Sequence, residues 1–278
     1  MNPSIQWAEF SVGGHRVFCP ACPGKRSDKT MGLTVAADDH GIAHCFRCGY
    51  VETRHHERTL TPSARKTLAL RIDALRRQHS EEQRKRQSDA AVAALIRWTA
   101  ASPVEAHPYL SSKGVRAYGI RVEMNDTLLI PVRDAQGRMH SFQAIAFDGT
   151  KRFQPGGKVK GCYHAIGQPR GKLAICEGYA TGATLHENTG HAVAIAFNSG
   201  NLLAVAQALR AKYPGITLVL CADDDWKTEG NPGLTAATEA TRVVGGLLAV
   251  PIFTGLPRGE EDTDFNDLHR LAGQAVSA

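Results

Sequence analysis

An apolar run that ends in a single carboxylate organises the second half of the chain. Residues 173–176 are apolar, and Glu177 follows them directly, before a glycine and a pattern typical of a helix. A second apolar run, residues 216–222, ends in three consecutive aspartates that begin at Asp223. Apolar strands and amphipathic helices alternate from residue 172 onward, which predicts an α/β module with a parallel sheet covered on both faces. Ligands of such sheets bind at the carboxyl ends of the strands, where these acids lie.

Glu177, Asp223 and Asp225 are therefore candidate ligands of a divalent cation. Asp223 and Asp225 are two residues apart, so their side chains point the same way in extended backbone, whereas Asp224 points the other way. Hard carboxylate ligands and few histidines favour Mg²⁺ or Mn²⁺. The alternative for one such acid is a helix cap or a solvated side chain. A later acidic stretch supplies two further candidate ligands, Asp264 and Asp267.

Asn231 and Pro232 predict the start of a later helix in the same module. Proline is common in the first turn of a helix, and asparagine is common at the capping position before it. We therefore expect Asn231 to be the capping residue.

Two C-x-x-C pairs, separated by 22 residues, mark a metal-binding region near the N-terminus. Between them, residues 33–36 and 42–46 are typical of short strands around a turn at residues 38–41. Two cysteine pairs brought together by a hairpin supply four thiolates in a tetrahedron, as in structural zinc sites. The sequence therefore predicts a zinc ribbon with the ligands Cys19, Cys22, Cys45 and Cys48.

Aromatic and basic residues are interleaved in this region. They are Trp7, Phe18, Phe46 and Tyr50, with Lys25, Arg26, Lys29 and Arg47. Such a mixture can bind a single nucleic-acid strand by base stacking and phosphate contacts. The alternative is a small aromatic core with solvated cations, and for Phe18 and Phe46 we favour the core.

A helical connector follows the ribbon. Thr61 and Pro62 form a typical helix start, with Thr61 as the cap. Leu68, Ile72 and Leu75 recur at helical spacing, and so do Val92, Leu95, Ile96 and Thr99. Residues 76–89 between the two groups are polar on every side, which is typical of a solvated helix or a flexible hinge.

Residues 102–170 form a basic module of mixed helix and strand patterns. A hairpin is predicted with strands at residues 128–132 and 139–147 and a turn at residues 134–137. The Gly- and Pro-rich path after it carries four candidate contacts for nucleotide or template phosphates, Lys151, Arg152, Lys158 and Lys160. The chain contains no G-x-x-x-x-G-K-[ST] pattern, so a fused NTPase motor is not expected.

Charge is distributed unevenly along the chain. Residues 1–176 hold 27 Lys+Arg and 15 Asp+Glu, whereas residues 177–278 hold 6 and 12. A basic region suits a polyanion through counterion release, and an acidic region suits cations. Outside the C-x-x-C pairs, Cys176 and Cys221 lie in apolar strand runs, where we interpret them as small buried hydrophobes.

The order of these motifs resembles that of DnaG-type primases. Glu177-Gly178 after one strand and Asp223-x-Asp225 after another resemble the Toprim domain of topoisomerases and DnaG-type primases. The sequence Asp-Phe-Asn-Asp at residues 264–267 is similar to the end of Toprim domains in plasmid- and phage-encoded primases. The basic module and the cysteine ribbon resemble the parts that precede Toprim in these enzymes.

The resemblance implies an α/β protein of four parts. They are an N-terminal Cys₄ zinc-ribbon domain at residues 1–55, a helical linker at 56–101, an α+β basic subdomain at 102–170 and a Rossmann-like Toprim domain at 171–278. It also implies a DNA-dependent RNA primase that makes short primers on single-stranded DNA from nucleoside triphosphates.

In this hypothesis Glu177, Asp223 and Asp225 hold catalytic Mg²⁺ or Mn²⁺, and the zinc is structural. Glu177 is alternatively a general base. Two other functions stay open. The same acids would serve a Toprim nuclease with water as the nucleophile, and a zinc-ribbon protein could bind single-stranded DNA without catalysis.

We expect a cytoplasmic protein with no membrane partner. No apolar run approaches the roughly 18 residues of a membrane span, and the first residues lack a secretory pattern. The connector resembles nothing in cellular primases, and no helicase-binding domain fits after the Toprim segment. This predicts a compact plasmid or phage primase, for which any helicase partner is a separate protein.

Overall fold

The computed structural model describes residues 4–22, 29–37, 40–54 and 62–277, which form two compact units at residues 1–76 and 77–278. Some predictions fall outside the described residues. These are the contacts of Lys25 and Arg26, the turn residues Asp38 and Asp39, and the Thr61 cap.

The first unit is built on a four-stranded antiparallel sheet. Its strands follow chain order as β1 (Gly13–Val17), β2 (Met31–Val35), β3 (Gly41–Cys45) and β4 (Val51–Arg54), after a short 3₁₀ helix at Trp7–Glu9. The hairpin predicted between the cysteine pairs is confirmed as β2 and β3. Alternate residues of these two strands form a small core of Met31, Leu33, Val35, Ala43 and Cys45. A core of this size supplies little stability without a disulfide or a metal.

Trp7 and Tyr50 pack at the edge of this core. The Trp7 ring lies against Gly41, where a Cβ atom would overlap it. The Glu52 carboxylate accepts hydrogen bonds from the Trp7 indole N–H at 2.8 Å and from the Tyr50 hydroxyl at 2.6 Å. These two aromatic residues are therefore committed to the fold of the first unit.

Phe18 and Phe46 lie on the surface, so the prediction that they form the core is wrong. They are 46% and 66% exposed. Phe46 directly follows the buried Cys45, at the point where β3 ends and a turn begins. Its ring meets the Arg16 guanidinium, whose carbon lies 4.7 Å from the ring centre.

A single helix, α1 (Pro62–Ala100), occupies the connector and confirms the helical prediction. The polar residues 76–89 are helical throughout and mostly exposed, as expected of a solvated helix. The apolar residues whose spacing indicated the helix, Val92, Leu95 and Ile96, are exposed. The buried side is formed by Ala94 and Trp98 instead, because small alanine side chains let the helix approach closely.

The second unit contains two five-stranded sheets, of which the first is antiparallel. Its strands lie in chain order as β5 (Ser102–Pro103), β6 (Arg121–Val122), β7 (Leu128–Arg133), β8 (Met139–Ile145) and β9 (Lys151–Phe153). Helix α2 (Pro108–Lys113) lies between β5 and β6 in the chain. The predicted hairpin is confirmed as β7 and β8. Strand β7 is buried on both sides, with Leu129 toward α1 and Ile130 toward the core of the next sheet.

The second sheet has the spatial order β10-β12-β11-β13-β14. Its strands are β10 (His164–Ile166), β11 (Lys172–Cys176), β12 (Ala192–Ile195), β13 (Thr217–Cys221) and β14 (Leu247–Ala249), and its helices are α3 (Tyr179–Thr189), α4 (Ser199–Lys212), α5 (Pro232–Val244) and α6 (Phe265–Ser277). The α/β prediction is confirmed. One strand departs from the expected parallel sheet, since β10 pairs antiparallel with β12. It enters the sheet from the basic module and not through a crossover helix.

Helices cover both faces of this sheet. Leu173 and Ile175 of β11 pack with residues of α4 and α5, whereas Ala174 and Cys176 pack with residues of α3. This alternation follows from the two-residue period of a strand. The carboxyl ends of β11 and β13 lie next to each other at one edge of the sheet, because the two strands are parallel neighbours. Cys221 is buried here as predicted.

Within the described ranges, no helix combines the length and apolar character needed to cross a membrane.

We predict that Gly182→Ala destabilises the second unit by about 1–3 kcal/mol through overpacking. A Cβ atom at Gly182 of α3 would lie 2.6 Å from Cγ1 of Ile195 on β12. Urea unfolding of the two proteins measures the difference. Gly273→Ala in α6 is the control, since its Cβ would meet no atom within 4 Å. Equal stability of wild type and Gly182→Ala would contradict the close packing of α3 on β12.

Candidate functional site

The four predicted cysteine ligands come together in the first unit. Their sulfur atoms all lie within 4.8 Å of one another. The Cys19–Cys48 and Cys22–Cys45 sulfur pairs are each 3.6 Å apart. Zinc–sulfur bonds of about 2.3 Å in a tetrahedron place sulfur atoms roughly 3.8 Å apart. The donor set and its spacing therefore fit a structural zinc ion.

Cys45 lies in an environment that favours its thiolate. Burial acts to raise its pKa, but hydrogen bonds from the backbone N–H groups of Cys48 and Arg47 and from Thr30 outweigh burial and lower the pKa to about 5. The Arg47 N–H lies 3.4 Å from the sulfur. Because the thiolate is the form that binds metal, the lowered pKa of Cys45 favours metal binding at the end of β3.

Glu177, Asp223 and Asp225 follow two neighbouring strands at one edge of the second sheet. Glu177 comes directly after β11, and Asp223 is the second residue after the end of β13. Local sequence places both acids, because each apolar strand ends just before its carboxylate. Among the described residues, one oxygen of Glu177 (Oε1) and one of Asp223 (Oδ1) are buried without a hydrogen-bond partner.

Burial and mutual repulsion change the protonation of these acids. The pKa of Glu177 is raised to about 7, first by burial and then by the charge of Asp225. The pKa of Asp223 is raised to about 8 by burial, then by Glu177 and Asp264. Each acid thus lies within electrostatic reach of the others. Unpartnered hard oxygens of this kind fit Mg²⁺ or Mn²⁺.

The carboxylates are spaced more widely than the cysteines. Over the part of the chain that the structure describes, only the four cysteines bring three or more potential metal-ligating atoms within 4.8 Å of one another. A site for two ions roughly 3.5–4 Å apart has ligands spread over more than one coordination shell.

Asp225 is oriented by the start of helix α5. Its Oδ2 accepts a hydrogen bond from the Gly233 N–H at 2.9 Å. Asn231 is the capping residue of this helix, as predicted, although its side chain makes no capping hydrogen bond. Asn231 has a left-handed backbone conformation (φ 41°), and its Oδ1 instead accepts the Asp225 N–H at 2.8 Å. The cap position is thus used to hold the aspartate loop.

Asp264 and Asp267 differ in their surroundings. Asp264 accepts the Thr181 hydroxyl at 2.6 Å and the backbone N–H groups of Asn266 and Asp267, so it caps α6 while it faces the other acids. Asp267 is buried and pairs with Arg270 at 3.3 Å and Lys113 at 3.8 Å. Its charge is therefore balanced within the protein.

Lys151 is the predicted basic residue that faces the acid cluster. Desolvation of its ammonium group and the nearby charge of Lys113 lower its pKa, while Asp264 and Asp223 act in the opposite direction. The ammonium nitrogen lies 5.7 Å from the ring centre of Tyr109. A cation thus lies near the carboxylates at the sheet edge.

The other three predicted basic residues lie elsewhere. Lys158 lines a groove between α1 and β8 together with Arg84 and Arg138. Arg152 is close enough to Asp148 to contribute to the lowering of its pKa, after hydrogen bonds from Thr150. Lys160 is exposed.

Sequence analysis missed two residues beside the acids, Tyr109 and Lys113. Both belong to the short helix α2. The Tyr109 hydroxyl is buried and has no partner among the described residues. The Lys113 carbonyl accepts the side-chain N–H of Asn266 at 2.7 Å, which ties α2 to the start of α6. No spacing signal could have found this contact, since it joins residues 153 positions apart.

Comparison with known proteins identifies the part of the chain that contains this sheet. Residues 172–275 match the family model described as Toprim domain. Two Escherichia coli proteins, both named DNA primase TraC, are similar to the chain. One is 38% identical over 219 residues, which is 74% of this chain and 20% of that protein. The other is 43% identical over 157 residues, which is 52% of this chain and 11% of that protein. The chain thus spans a fifth or less of these relatives.

Among solved structures, the zinc-binding and RNA polymerase domains of Aquifex aeolicus primase align with the whole chain. The alignment covers 79% of that structure at 16% identity, with a TM-score of 0.44. The family model matches the segment that contains Glu177, Asp223 and Asp225. Residues 172–275 are therefore a Toprim domain.

Proposed function

We propose that this chain is a DNA-dependent RNA primase that synthesises short primers on single-stranded DNA. The observation that carries the proposal is the pair of buried, unpartnered carboxylate oxygens of Glu177 and Asp223, with Lys151 facing them. A carboxylate cluster for divalent cations beside a lysine for phosphates suits nucleotidyl transfer. The similarity to proteins named DNA primase supports this choice over other Toprim activities.

Glu177, Asp223 and Asp225 would hold catalytic Mg²⁺ or Mn²⁺. Asp264 is a further candidate ligand because it adds to the charge at Glu177 and Asp223. Asp267 is a weaker candidate because it already pairs with Arg270 and Lys113. Bound cations would neutralise charge on the reacting phosphate and on the leaving pyrophosphate. Glu177 would serve as a ligand or accept the proton of the attacking 3′-hydroxyl.

Lys151 would bind the triphosphate of the incoming nucleotide. Its ammonium group is a compact charge with three hydrogen-bond donors, which suits phosphate oxygens. Lys113 and the unpartnered hydroxyl of Tyr109 lie on the same side and would add phosphate contacts. The two lysines bring positive charge to a place that the carboxylates alone would make repulsive to a nucleotide.

The single-stranded template would follow basic residues away from the acid cluster. Lys158 shares its groove with Arg84 and Arg138, a set suited to phosphates. Arg152 and Lys160 would add contacts of the same kind. In the ribbon, the exposed Phe46 ring and Arg16 offer a stacking surface with a cation, as in many single-strand binders.

The ribbon would bind Zn²⁺ through Cys19, Cys22, Cys45 and Cys48 and use it to hold its fold. We place the protein in the cytoplasm, where template and nucleoside triphosphates are found. A separate helicase is a candidate partner, since a primase needs exposed single-stranded DNA.

A primer synthesis assay tests the proposal. The protein is incubated with single-stranded DNA, labelled nucleoside triphosphates and Mg²⁺ or Mn²⁺, and we expect short, template-dependent RNA. Asp223→Asn should reduce product at least 100-fold, because it removes a ligand charge where charge develops. Asp148→Asn is the matched control and should retain activity. Asp148 is an exposed acid of the same unit, and it lies far in sequence from the strand ends that carry the acid cluster.

Other outcomes of this assay would refute the proposal. Shortened template without RNA would identify a Toprim nuclease. A gel shift with neither product would identify a single-strand-binding protein. Full activity of Asp223→Asn would show that the metal site is assigned to the wrong residues.

Asp223→Asn should also stabilise the second unit in Mg²⁺-free buffer, and increasingly so as pH rises. The folded pKa of Asp223, about 8, exceeds its ordinary value of 3.8, so ionisation costs stability between these values. The free energy of unfolding of the variant minus that of wild type should grow between pH 6 and 8, by up to roughly 1.4 kcal/mol per pH unit. Urea unfolding at each pH measures it.

Asp148→Asn is the control for this series. The pKa of Asp148 is lowered in the folded protein, so its carboxyl group is ionised above pH 6 in both the folded and the unfolded protein. Its difference from wild type should be constant from pH 6 to 8. Adding Mg²⁺ should stabilise wild type but not Asp223→Asn. A pH-independent difference for Asp223→Asn would contradict the raised pKa.

Cys45→Ser should lose zinc and unfold the first unit. A three-thiolate site binds zinc more weakly, and the small core cannot compensate. Zinc released by a thiol-modifying reagent should fall from about one equivalent per chain to near zero. Cys162→Ala is the control, because Cys162 is buried in the second unit. Retention of zinc by Cys45→Ser would contradict the assignment.

A further inference from the structure

We propose that Arg258 is a positioning residue that clasps the two acidic loops of the Toprim domain and sets the spacing of the metal ligands. The first loop, here the Asp-x-Asp loop, comprises residues 222–231. The second, here the C-terminal acidic loop, comprises residues 258–264. The inference rests on the proposed metal site formed by Asp223 and Asp225, and it assigns a role to the middle acid, Asp224.

One guanidinium joins both loops. Nη1 of Arg258 donates to Oδ2 of Asp224 at 2.9 Å, and Nη2 donates to the Asp224 backbone oxygen at 2.9 Å. Nε of Arg258 donates to the backbone oxygen of Asp262, also at 2.9 Å. Because the guanidinium is a rigid plane, these three bonds fix the distance between the loops.

Packing holds this side chain in place. The Arg258 and Asp224 side chains are only 20% and 19% exposed. The guanidinium carbon lies 4.2 Å from the ring centre of Phe253 and 5.0 Å from that of Trp226. A charge pair that is partly desolvated and stacked on aromatic rings is more rigid than an exposed surface pair.

Asp224 passes this constraint on to Asp225. Its second oxygen, Oδ1, accepts a hydrogen bond from Nδ2 of Asn231 at 2.7 Å. Oδ1 of Asn231 in turn accepts the backbone N–H of Asp225 at 2.8 Å. The chain of contacts from Arg258 through Asp224 and Asn231 therefore ends at the backbone of a proposed ligand.

The same clasp constrains the position of Asp264. The backbone N–H of Asp224 donates to the backbone oxygen of Thr263 at 2.8 Å, next to Asp264. Asp223 and Asp264 are the chain neighbours of the two residues that this hydrogen bond joins. Within the described residues, no hydrogen bond or ion pair of Arg258 reaches Glu177, Asp223 or Asp225. The clasp thus holds the ligands in place without neutralising the charge that attracts a cation.

Lys227 offers a matched control, because it joins the same two loops at the surface. It pairs with Glu260 at 2.9 Å, and the two side chains are 50% and 78% exposed. It also lies against the ring of Trp226, 4.5 Å from its centre. Exposed pairs of this kind contribute little, so its removal should leave the ligands where they are.

The test is Mn²⁺ binding to the full chain, followed by the electron paramagnetic resonance signal of free Mn²⁺. Asp223→Asn identifies the binding that belongs to this site. We expect Arg258→Ala to weaken it roughly 10–100-fold, as found for residues that orient metal ligands. Arg258→Lys should fall in between, because lysine retains the charge but not the three-bond fork. Lys227→Ala should bind as wild type does.

Circular dichroism shows which variants fold. If Arg258→Ala does not fold, Arg258→Lys and Asp224→Asn decide the question, and wild-type affinity in both overturns the inference. An equal loss in Lys227→Ala and Arg258→Ala also overturns it, since any link between the loops would then suffice. Absence of Asp223-dependent binding overturns it as well. The titration contains no template or nucleotide, so Mn²⁺ binding without primer synthesis would refute only the proposed function.

Discussion

Two buried carboxylates at the ends of neighbouring strands impose the main physical demand on this protein. Burial raises the pKa of both acids, and the charge of Asp225 adds to this effect at Glu177 as that of Glu177 does at Asp223. Each acid also has one buried oxygen without a partner among the described residues. A fold tolerates such an arrangement when a bound cation offsets its cost. The surrounding ion pairs leave the charges of these two carboxylates largely uncompensated. Nearby cations are directed to Asp224 and Asp267, and Lys151 faces the cluster from β9.

The parts of the fold that sequence could predict are those set by local chemistry. The cysteine spacing indicates the ribbon because four thiolates and one hairpin leave few other arrangements. The strands of the Toprim sheet could be read from short apolar runs, and Glu177 and Asp223 could be placed together because parallel strands bring their carboxyl ends to one edge. The metal roles of these acids stay predictions.

Other features depend on contacts that no local pattern encodes. Lys113 reaches the start of α6 across 153 residues, and Arg258 reaches Asp224 across 34. The buried side of α1 is formed by Ala94 and not by its larger apolar residues, because close packing selects a small side chain. Phe46 is exposed for a related reason, since it lies in the turn after β3, where the sheet does not enclose a bulky apolar side chain.

The antiparallel strand β10 has a consequence for association between chains. Both edges of the Toprim sheet end in strands of three residues, β10 on one side and β14 on the other. A strand from another molecule could add only a few backbone hydrogen bonds there, so the register would be poorly defined and the gain small. The short edge strands therefore disfavour edge-to-edge aggregation of the sheet that carries Glu177 and Asp223.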